Sequence, residues 1–186
     1  MKKIVIFASG SGSNAENIVL HFNKKSVANV VRIFTNNPNA KVLERARKFE
    51  IPTEVFTRQE LNEGNVLELV NKIQPDLIVL AGFLLKFPDA IIKQYPNKII
   101  NIHPALLPNY GGKGMYGMNV HQAVLKNKEK ETGISIHYVN EHYDEGGIIF
   151  QKSVNIEDCK SAEEIAAKNS ILEQTHFPEV IEKLLT

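Results

Sequence analysis

The sequence predicts an α/β fold: a Rossmann-like open sheet with a mainly parallel core, helices on both faces and an antiparallel carboxy-terminal extension. Short apolar runs rich in β-branched residues alternate with segments of helical spacing early in the chain, and this alternation is typical of a parallel sheet. Two later strand-like runs, separated only by a turn, predict the antiparallel extension.

Four apolar runs predict the strands of the parallel core. Helical spacing between them is clearest at Val42–Phe49 and Leu67–Ile73. The strands are expected at Lys3–Phe7, Val30–Phe34, Leu77–Ala81 and Ile99–Ile102. The last two runs are apolar on both faces, as central strands covered by helices must be. We therefore expect these two strands to be neighbours in the middle of the sheet.

The alternation of strand-like and helix-like segments ends after residue 104. The segment "NYGGKGMYG" at 109–117 is rich in glycine and predicts a long mobile loop. The following runs "GISIHYVN" and "GGIIFQKSV" predict two strands joined through a turn around Asp144–Gly147.

One amphipathic helix is predicted at the carboxy-terminal end. Its periodic apolar positions run from Ile165 to Leu185, and Ser161 with Glu164 has the spacing of a capping box before it. Pro178 lies inside this segment, where a proline bends or interrupts a helix.

Composition limits the class of protein. The chain carries 22 basic and 21 acidic side chains, a formal charge of +1, which gives no general attraction to nucleic acid or to an anionic membrane. The single cysteine, Cys159, favours a reducing compartment. The longest apolar run, 77–85, is far shorter than the roughly 20 residues that span a bilayer, and no signal peptide is evident. We expect one cytoplasmic domain, 1–186, a monomer or homodimer without nucleic-acid or membrane partners.

A glycine-rich turn follows the first predicted strand. Gly10, Gly12 and Ala15 have G-x-G-x-x-A spacing between a strand and a helix, so backbone N–H groups can approach an anion there. A dinucleotide site would also need an acidic residue about 20 positions later to hold a ribose hydroxyl. The chain has no Asp or Glu from Asn17 to Leu43, which argues against NAD.

The polar side chains of this turn favour a terminal phosphate as the ligand. They add hydrogen-bond donors that can surround an anion from several sides. The predicted phosphate-binding residues are Gly10, Ser11, Gly12, Ser13 and Asn14. The structural alternative is an ordinary capping box between Ser13 and Glu16 over an empty turn.

Two polar residues interrupt the last core strand, in "IINIHPALLP" at 99–108. Residues two apart in a strand share a face, so Asn101 and His103 point the same way at the edge where open α/β sheets bind ligands. An amide can donate to a developing oxyanion and an imidazole can move a proton, which suits acyl transfer through a tetrahedral intermediate. The alternative is that both are buried polar groups that tie down the following loop.

The imidazole of His103 needs a partner. A nearby carboxylate would raise its pKa and favour the protonated form, and Asp144 is the best-placed candidate. The other histidines are either in helical segments, where we expect surface or packing roles, or ambiguous. The first group is His21, His121 and His176, and the second is His137 and His142.

Five motifs, in order and spacing, resemble the phosphoribosylglycinamide formyltransferase family, within the formyltetrahydrofolate-dependent formyltransferase superfamily. They are "ASGSGSN" at 8–14, "PDLIVLAGF" at 75–83, "NIHPALLP" at 101–108, "ISIHYVN" at 134–140 and "DEGGIIFQ" at 144–151. The resemblance covers essentially the whole chain. It implies a phosphate-binding half at about 1–100 and a folate-binding and catalytic half at about 101–186.

The resemblance implies transfer of a formyl group from the cosubstrate 10-formyltetrahydrofolate to the primary amine of glycinamide ribonucleotide, in de novo purine biosynthesis, without metal or NAD. It implies that Asn101 stabilises the oxyanion, that His103 is the proton donor, and that Asp144 organises His103 and a proton-relaying water. The 10–14 turn would hold the substrate phosphate, and Glu173 would reach the ribose hydroxyls.

The resemblance also implies a folate site between the segments 82–87 and 139–144. Relatives often carry Met-Arg where this chain has two leucines, so these contacts differ in detail. The implied folate-binding residues are Phe83, Leu84, Leu85, Lys86, Phe87, Val139, Asn140 and Glu141.

Three other functions can be compared with this pattern. A formyltetrahydrofolate hydrolase would use water as the nucleophile and usually carries an additional regulatory domain. A non-catalytic nucleotide-phosphate binding module would use only the glycine-rich turn. A formyltransferase for initiator tRNA would need an RNA-binding domain and more positive charge.

Overall fold

Seven strands and seven helices build the fold in the computed structural model, which describes residues 1–186. The strands are β1 (Lys2–Phe7), β2 (Ala28–Thr35), β3 (Thr53–Val55), β4 (Leu77–Leu80), β5 (Ile99–His103), β6 (Glu131–Tyr138) and β7 (Ile148–Asn155). The helices are α1 (Ser13–Phe22), α2 (Val42–Lys48), α3 (Arg58–Glu63), α4 (Asn65–Ile73), α5 (Asp89–Gln94), α6 (Met118–Lys126) and α7 (Ala162–Leu185). None of these helices is both long and apolar enough to cross a membrane.

All strands join one sheet in the order β3-β2-β1-β4-β5-β6-β7. The pairs from β3 to β5 are parallel, and β6 and β7 are added antiparallel. The predicted fold class is therefore confirmed, and β4 and β5 are neighbours as expected. The sequence missed β3, α3 and α5 because elements of 3, 6 and 6 residues are too short to show a periodic pattern.

Alternation along the strands builds a hydrophobic core on each face of the sheet. In β1, Ile6 joins the core covered by α1 and α7, while Phe7 joins the core covered by α3, α4 and α5. In β5, Ile102 points towards α1 and α7. Asn101 and His103 therefore point to the opposite face, and the strand presents both polar side chains together.

Helix α7 runs without interruption through Pro178, contrary to the expected break. A proline removes the N–H that would bond the carbonyl four residues earlier. That carbonyl belongs to Gln174, and the side chain of Asn17 on α1 donates to it instead, at 2.6 Å. At the start of α7, Ser161 accepts from the N–H of Glu164, but the Glu164 carboxylate bonds a different N–H, so only half of the capping box forms.

Candidate active site

A cleft of about 500 Å³ opens beyond the ends of β4 and β5. Asn101 and His103 line it from β5, and Asp144 lines it from the connection between β6 and β7. Strand β6 ends beside Ile100 of β5, and the connection then runs back along β5, so that Asp144 lies near His103. The fold thus brings together the three residues that the sequence singled out, and their catalytic roles remain a prediction.

Asp144 lies between two histidine rings. Its Oδ2 is 3.7 Å from Nδ1 of His103, and its Oδ1 is 3.6 Å from Nε2 of His137. The side chains of His103 and Asp144 are only 4% and 12% exposed, so water screens their charges weakly.

The ring of His103 is oriented by the backbone carbonyl of Tyr110, which lies 2.7 Å from Nε2. A carbonyl only accepts, so Nε2 carries a hydrogen and Nδ1 is left to face Asp144. Burial lowers the pKa of His103, and this effect outweighs the nearby charge of Asp144, which raises it. The expected effect of Asp144 on His103 is therefore present, but desolvation favours the neutral ring in the free protein.

Asn101 is oriented by His137, which the sequence left ambiguous. Nδ2 of Asn101 lies 3.2 Å from Nε2 of His137, and Nδ1 of His137 lies 2.9 Å from the carbonyl of Tyr138. That carbonyl requires a hydrogen on Nδ1, so in this tautomer Nε2 accepts the Asn101 hydrogen. The second amide hydrogen of Asn101 remains for an oxygen atom in the cleft. His137 could have been found from its position directly opposite Asn101 in the antiparallel pair.

The glycine-rich loop before α6 packs against the same group. The N–H of Gly112 donates to Oδ2 of Asp144 at 2.9 Å, and a Cβ on Gly111 would lie 3.3 Å from Cβ of Asp144. Burial raises the pKa of Asp144, but the neighbouring rings of His137 and His103 and the Gly112 N–H together lower it. The loop therefore holds Asp144 ionised beside His103, a role that the sequence left open.

The turn after β1 leaves a run of backbone donors free. No N–H group from Gly10 to Ala15 donates to a backbone acceptor. Gly12 has a φ of 73°, and a Cβ there would lie 2.5 Å from a side chain of α2, so the turn requires glycine. Ser13 makes no cap bond and Glu16 pairs with Arg45, so the capping-box alternative does not form.

Asn14 connects this turn to the cleft. Its Nδ2 donates to Oε2 of Glu173 at 2.7 Å, and both residues line the cleft. Burial raises the pKa of Glu173, although the Asn14 hydrogen bond lowers it. The other four predicted phosphate-binding residues form the adjoining turn, so the predicted phosphate ligands and the predicted ribose ligand lie next to each other through the Asn14–Glu173 hydrogen bond.

The eight residues predicted to contact the folate all line this cleft. One segment follows β4 and the other follows β6. The residues are Phe83, Leu84, Leu85, Lys86, Phe87, Val139, Asn140 and Glu141. Phe83 and Phe87 pack edge to face with ring centroids 6.0 Å apart, which makes this side of the cleft apolar.

The remaining histidines fall into two groups. His21 pairs with Glu182, and His176 packs against Phe150, both outside the cleft, in keeping with the expected surface or packing roles. His121 and His142 line the cleft, and His121 is only 6% exposed, which its helical spacing did not indicate. No group of three or more His, Cys, Asp or Glu residues is placed to hold a metal ion.

Known proteins share both the sequence and the fold. A family model described as formyl transferase matches residues 2–181. A phosphoribosylglycinamide formyltransferase of Bacillus subtilis is 37% identical over 191 residues, which cover 100% of this chain and 95% of that protein. The chloroplastic phosphoribosylglycinamide formyltransferase of Arabidopsis thaliana is 37% identical over 182 residues, which cover 94% of this chain but only 62% of that protein.

Among solved structures, glycinamide ribonucleotide transformylase 1 from Geobacillus kaustophilus has a TM-score of 0.91 and 32% identity, and each chain is covered over 100% of its length. With the family model matching nearly the whole sequence and a relative at 37% identity over 95% of that protein's length, the chain belongs to the formyl transferase family.

Proposed function

We propose that this protein transfers the formyl group of 10-formyltetrahydrofolate to the primary amine of glycinamide ribonucleotide, giving formylglycinamide ribonucleotide and tetrahydrofolate in purine biosynthesis. The observation that carries the proposal is the position of Asn101, His103 and Asp144 in one cleft with the Asn14–Glu173 pair. An acyl-transfer group and a turn suited to phosphate meet there. The names of the bacterial and plant relatives support the same reaction.

The carbonyl-addition step uses the free hydrogen of Asn101. The amine lone pair forms a bond to the formyl carbon, and the electron pair of the C=O bond moves to oxygen. Nδ2 of Asn101, held by His137, donates to that developing oxyanion. Collapse of the tetrahedral intermediate restores the C=O bond and breaks the bond from the formyl carbon to N10 of the folate.

The proton moves through His103. Its Nε2 is committed to the Tyr110 carbonyl, so Nδ1 is the nitrogen that takes up the proton lost by the attacking amine. Asp144 stabilises the resulting imidazolium, since its carboxylate is ionised and 3.7 Å away. The imidazolium then protonates N10 as the folate leaves, so His103 acts as the proton donor after first acting as the acceptor.

The two substrates occupy opposite ends of the cleft in this proposal. The free N–H groups of the 10–14 turn bind the phosphate, and Glu173 binds the ribose hydroxyls. The folate ring lies along the wall formed by the segments 83–87 and 139–141. A cytoplasmic location, a single domain at 1–186 and a monomer or homodimer remain predictions.

The test is to mix the protein with glycinamide ribonucleotide and 10-formyltetrahydrofolate and to follow formation of tetrahydrofolate. We expect turnover that requires both substrates and stops when the ribonucleotide is omitted. Deformylation that continues without the ribonucleotide would identify a hydrolase instead.

A variant pair separates catalysis from simple binding. His103→Ala should abolish most turnover while calorimetry still detects the ribonucleotide. His176→Ala, outside the cleft, is the matched control and should behave as the unmodified protein. Binding of the ribonucleotide without any turnover in the unmodified protein would favour a non-catalytic phosphate module.

A further inference from the structure

His121 is a buried cleft residue that the reaction described above does not use. It lies on the first turns of α6, is 6% exposed and lines the cleft. Its Nδ1 is buried without any hydrogen-bond partner. An unpaired buried polar atom costs free energy, so a side chain in this state calls for an explanation.

The burial of Nδ1 indicates which ring nitrogen carries the hydrogen. A buried N–H without a partner is much rarer in proteins than an unpaired acceptor. The tautomer with bare Nδ1 and a hydrogen on Nε2 is therefore favoured, and burial keeps the ring neutral by lowering its pKa. His121 then offers the cleft one uncharged N–H donor.

The surrounding elements indicate which substrate this donor meets. Helix α6 packs against α7, which carries Glu173 at the end of the cleft assigned to the ribonucleotide. His121 is also close enough to His103 that a positive charge on His103 would lower the pKa of His121. The part of the ribonucleotide between the ribose and the reacting amine is the glycinamide group, whose carbonyl is an uncharged acceptor two bonds from the amine nitrogen.

We propose that His121 donates a hydrogen bond from Nε2 to the glycinamide carbonyl and so positions the attacking amine beside His103. This inference rests on the proposed function. His121 is then a substrate-positioning residue that recognises an amide carbonyl. It acts in addition to Asn101, which binds the oxyanion, and His103, which transfers the proton.

The test compares His121→Leu, which removes the donor at similar volume, with His121→Gln, which keeps an N–H donor near the position of Nε2. For His121→Leu we expect binding of glycinamide ribonucleotide, measured by calorimetry, to weaken about tenfold, the value of one hydrogen bond. Its KM for 10-formyltetrahydrofolate should stay within about twofold, and His121→Gln should recover most of the ribonucleotide affinity. His176→Leu, outside the cleft, is the control.

Thermal unfolding separates positioning from a structural role. The Tm of His121→Leu should equal or exceed that of the unmodified protein, because the substitution removes an unpaired buried nitrogen. Unchanged ribonucleotide affinity in His121→Leu would overturn the inference. A lower Tm together with an equal loss of affinity for both substrates would overturn it as well. If the unmodified protein and His121→Leu both turn over the two substrates and bind the ribonucleotide equally well, only this inference fails. If the unmodified protein binds no ribonucleotide, both this inference and the proposed function fail.

Discussion

At the scale of single residues, two electrostatic effects compete on His103. Burial favours the neutral ring, and the carboxylate of Asp144 favours the charged one, with burial prevailing in the free protein. A neutral ring with Nδ1 free suits a group that must first accept a proton from an amine. Asp144 then matters most at the moment when the positive charge appears, which is how electrostatic stabilisation accelerates a reaction.

Replacing either polar residue of β5 should affect the chemical step more than folding. Asn101→Ala and His103→Ala should each lower kcat by about a hundredfold or more, because an oxyanion donor or the proton-transferring group is lost. Single-turnover kinetics measure the rate, and circular dichroism checks the fold. Unfolding of both variants would instead support purely structural roles for the pair.

His103 and His121, two of the buried histidines in the cleft, should make the folded state sensitive to acid. Both His103 and His121 have folded pKa values below their usual 6.5. As the pH falls through about 6.5, the unfolded chain binds protons that the folded one does not, so the free energy of unfolding decreases. Calorimetry should show Tm falling from pH 7.5 to pH 5.5, and falling less for His121→Leu. An identical fall in both proteins would contradict this assignment.

At the scale of elements, the proposed catalytic group depends on two connections rather than on strands alone. The glycine-rich loop before α6 supplies the Tyr110 carbonyl and the Gly112 N–H, and the turn between β6 and β7 supplies Asp144. Asp144 has a φ of 56°, a conformation that non-glycine residues adopt at a cost. The hydrogen bond from Gly112 and the neighbouring rings stabilise that conformation.

Two adjacent glycines test the hairpin that positions Asp144. A Cβ on Gly146 would lie 1.6 Å from the backbone oxygen of Tyr138, whereas a Cβ on Gly147 meets nothing closer than 4.0 Å. Gly146→Ala should therefore cost about 1–3 kcal/mol in the free energy of unfolding and lower kcat by displacing Asp144. Gly147→Ala should change stability by about 0.5 kcal/mol or less. Denaturant unfolding measures both, and equal effects would refute the steric argument.

At the scale of the whole molecule, helix α7 joins the two halves of the site. Glu173 on α7 bonds Asn14 beside β1, and Asn169, which is 1% exposed, lies one turn earlier on α7. Nδ2 of Asn169 donates to the carbonyls of Pro104 and Gly133, at 2.8 and 3.0 Å. The helix thus holds the exit of β5, directly after His103, against β6.

Removing the Asn169 amide should loosen this junction. Asn169→Ala leaves one part-buried and one buried carbonyl without that donor, so we expect a loss of about 2 kcal/mol in the free energy of unfolding. A lower kcat should accompany it because the segment after His103 is no longer held. Ser170→Ala, the next residue on the helix, is the matched control and should stay within about 0.5 kcal/mol. Stability equal to the unmodified protein would show that Asn169 does not hold the junction.

Much of the fold follows from local pattern. Apolar residues recur along the strands and along the carboxy-terminal helix with the period of each element, because one face of it must be buried. Pro178 did not end α7, because a side chain on α1 replaces the missing hydrogen bond, and such a distant partner has no local signature. The pairing of Glu16 with Arg45, in place of a capping box, is likewise a long-range contact.

The sequence by itself determined the order of the strands along the chain, the shared face of Asn101 and His103 and the glycines of the phosphate turn, because these depend on a two-residue period and on backbone sterics. Only the tertiary structure decided the protonation of His103 and the membership of His137 and His121 in the site. Those properties depend on burial and on groups that approach from other elements, and no local stretch of sequence records either one.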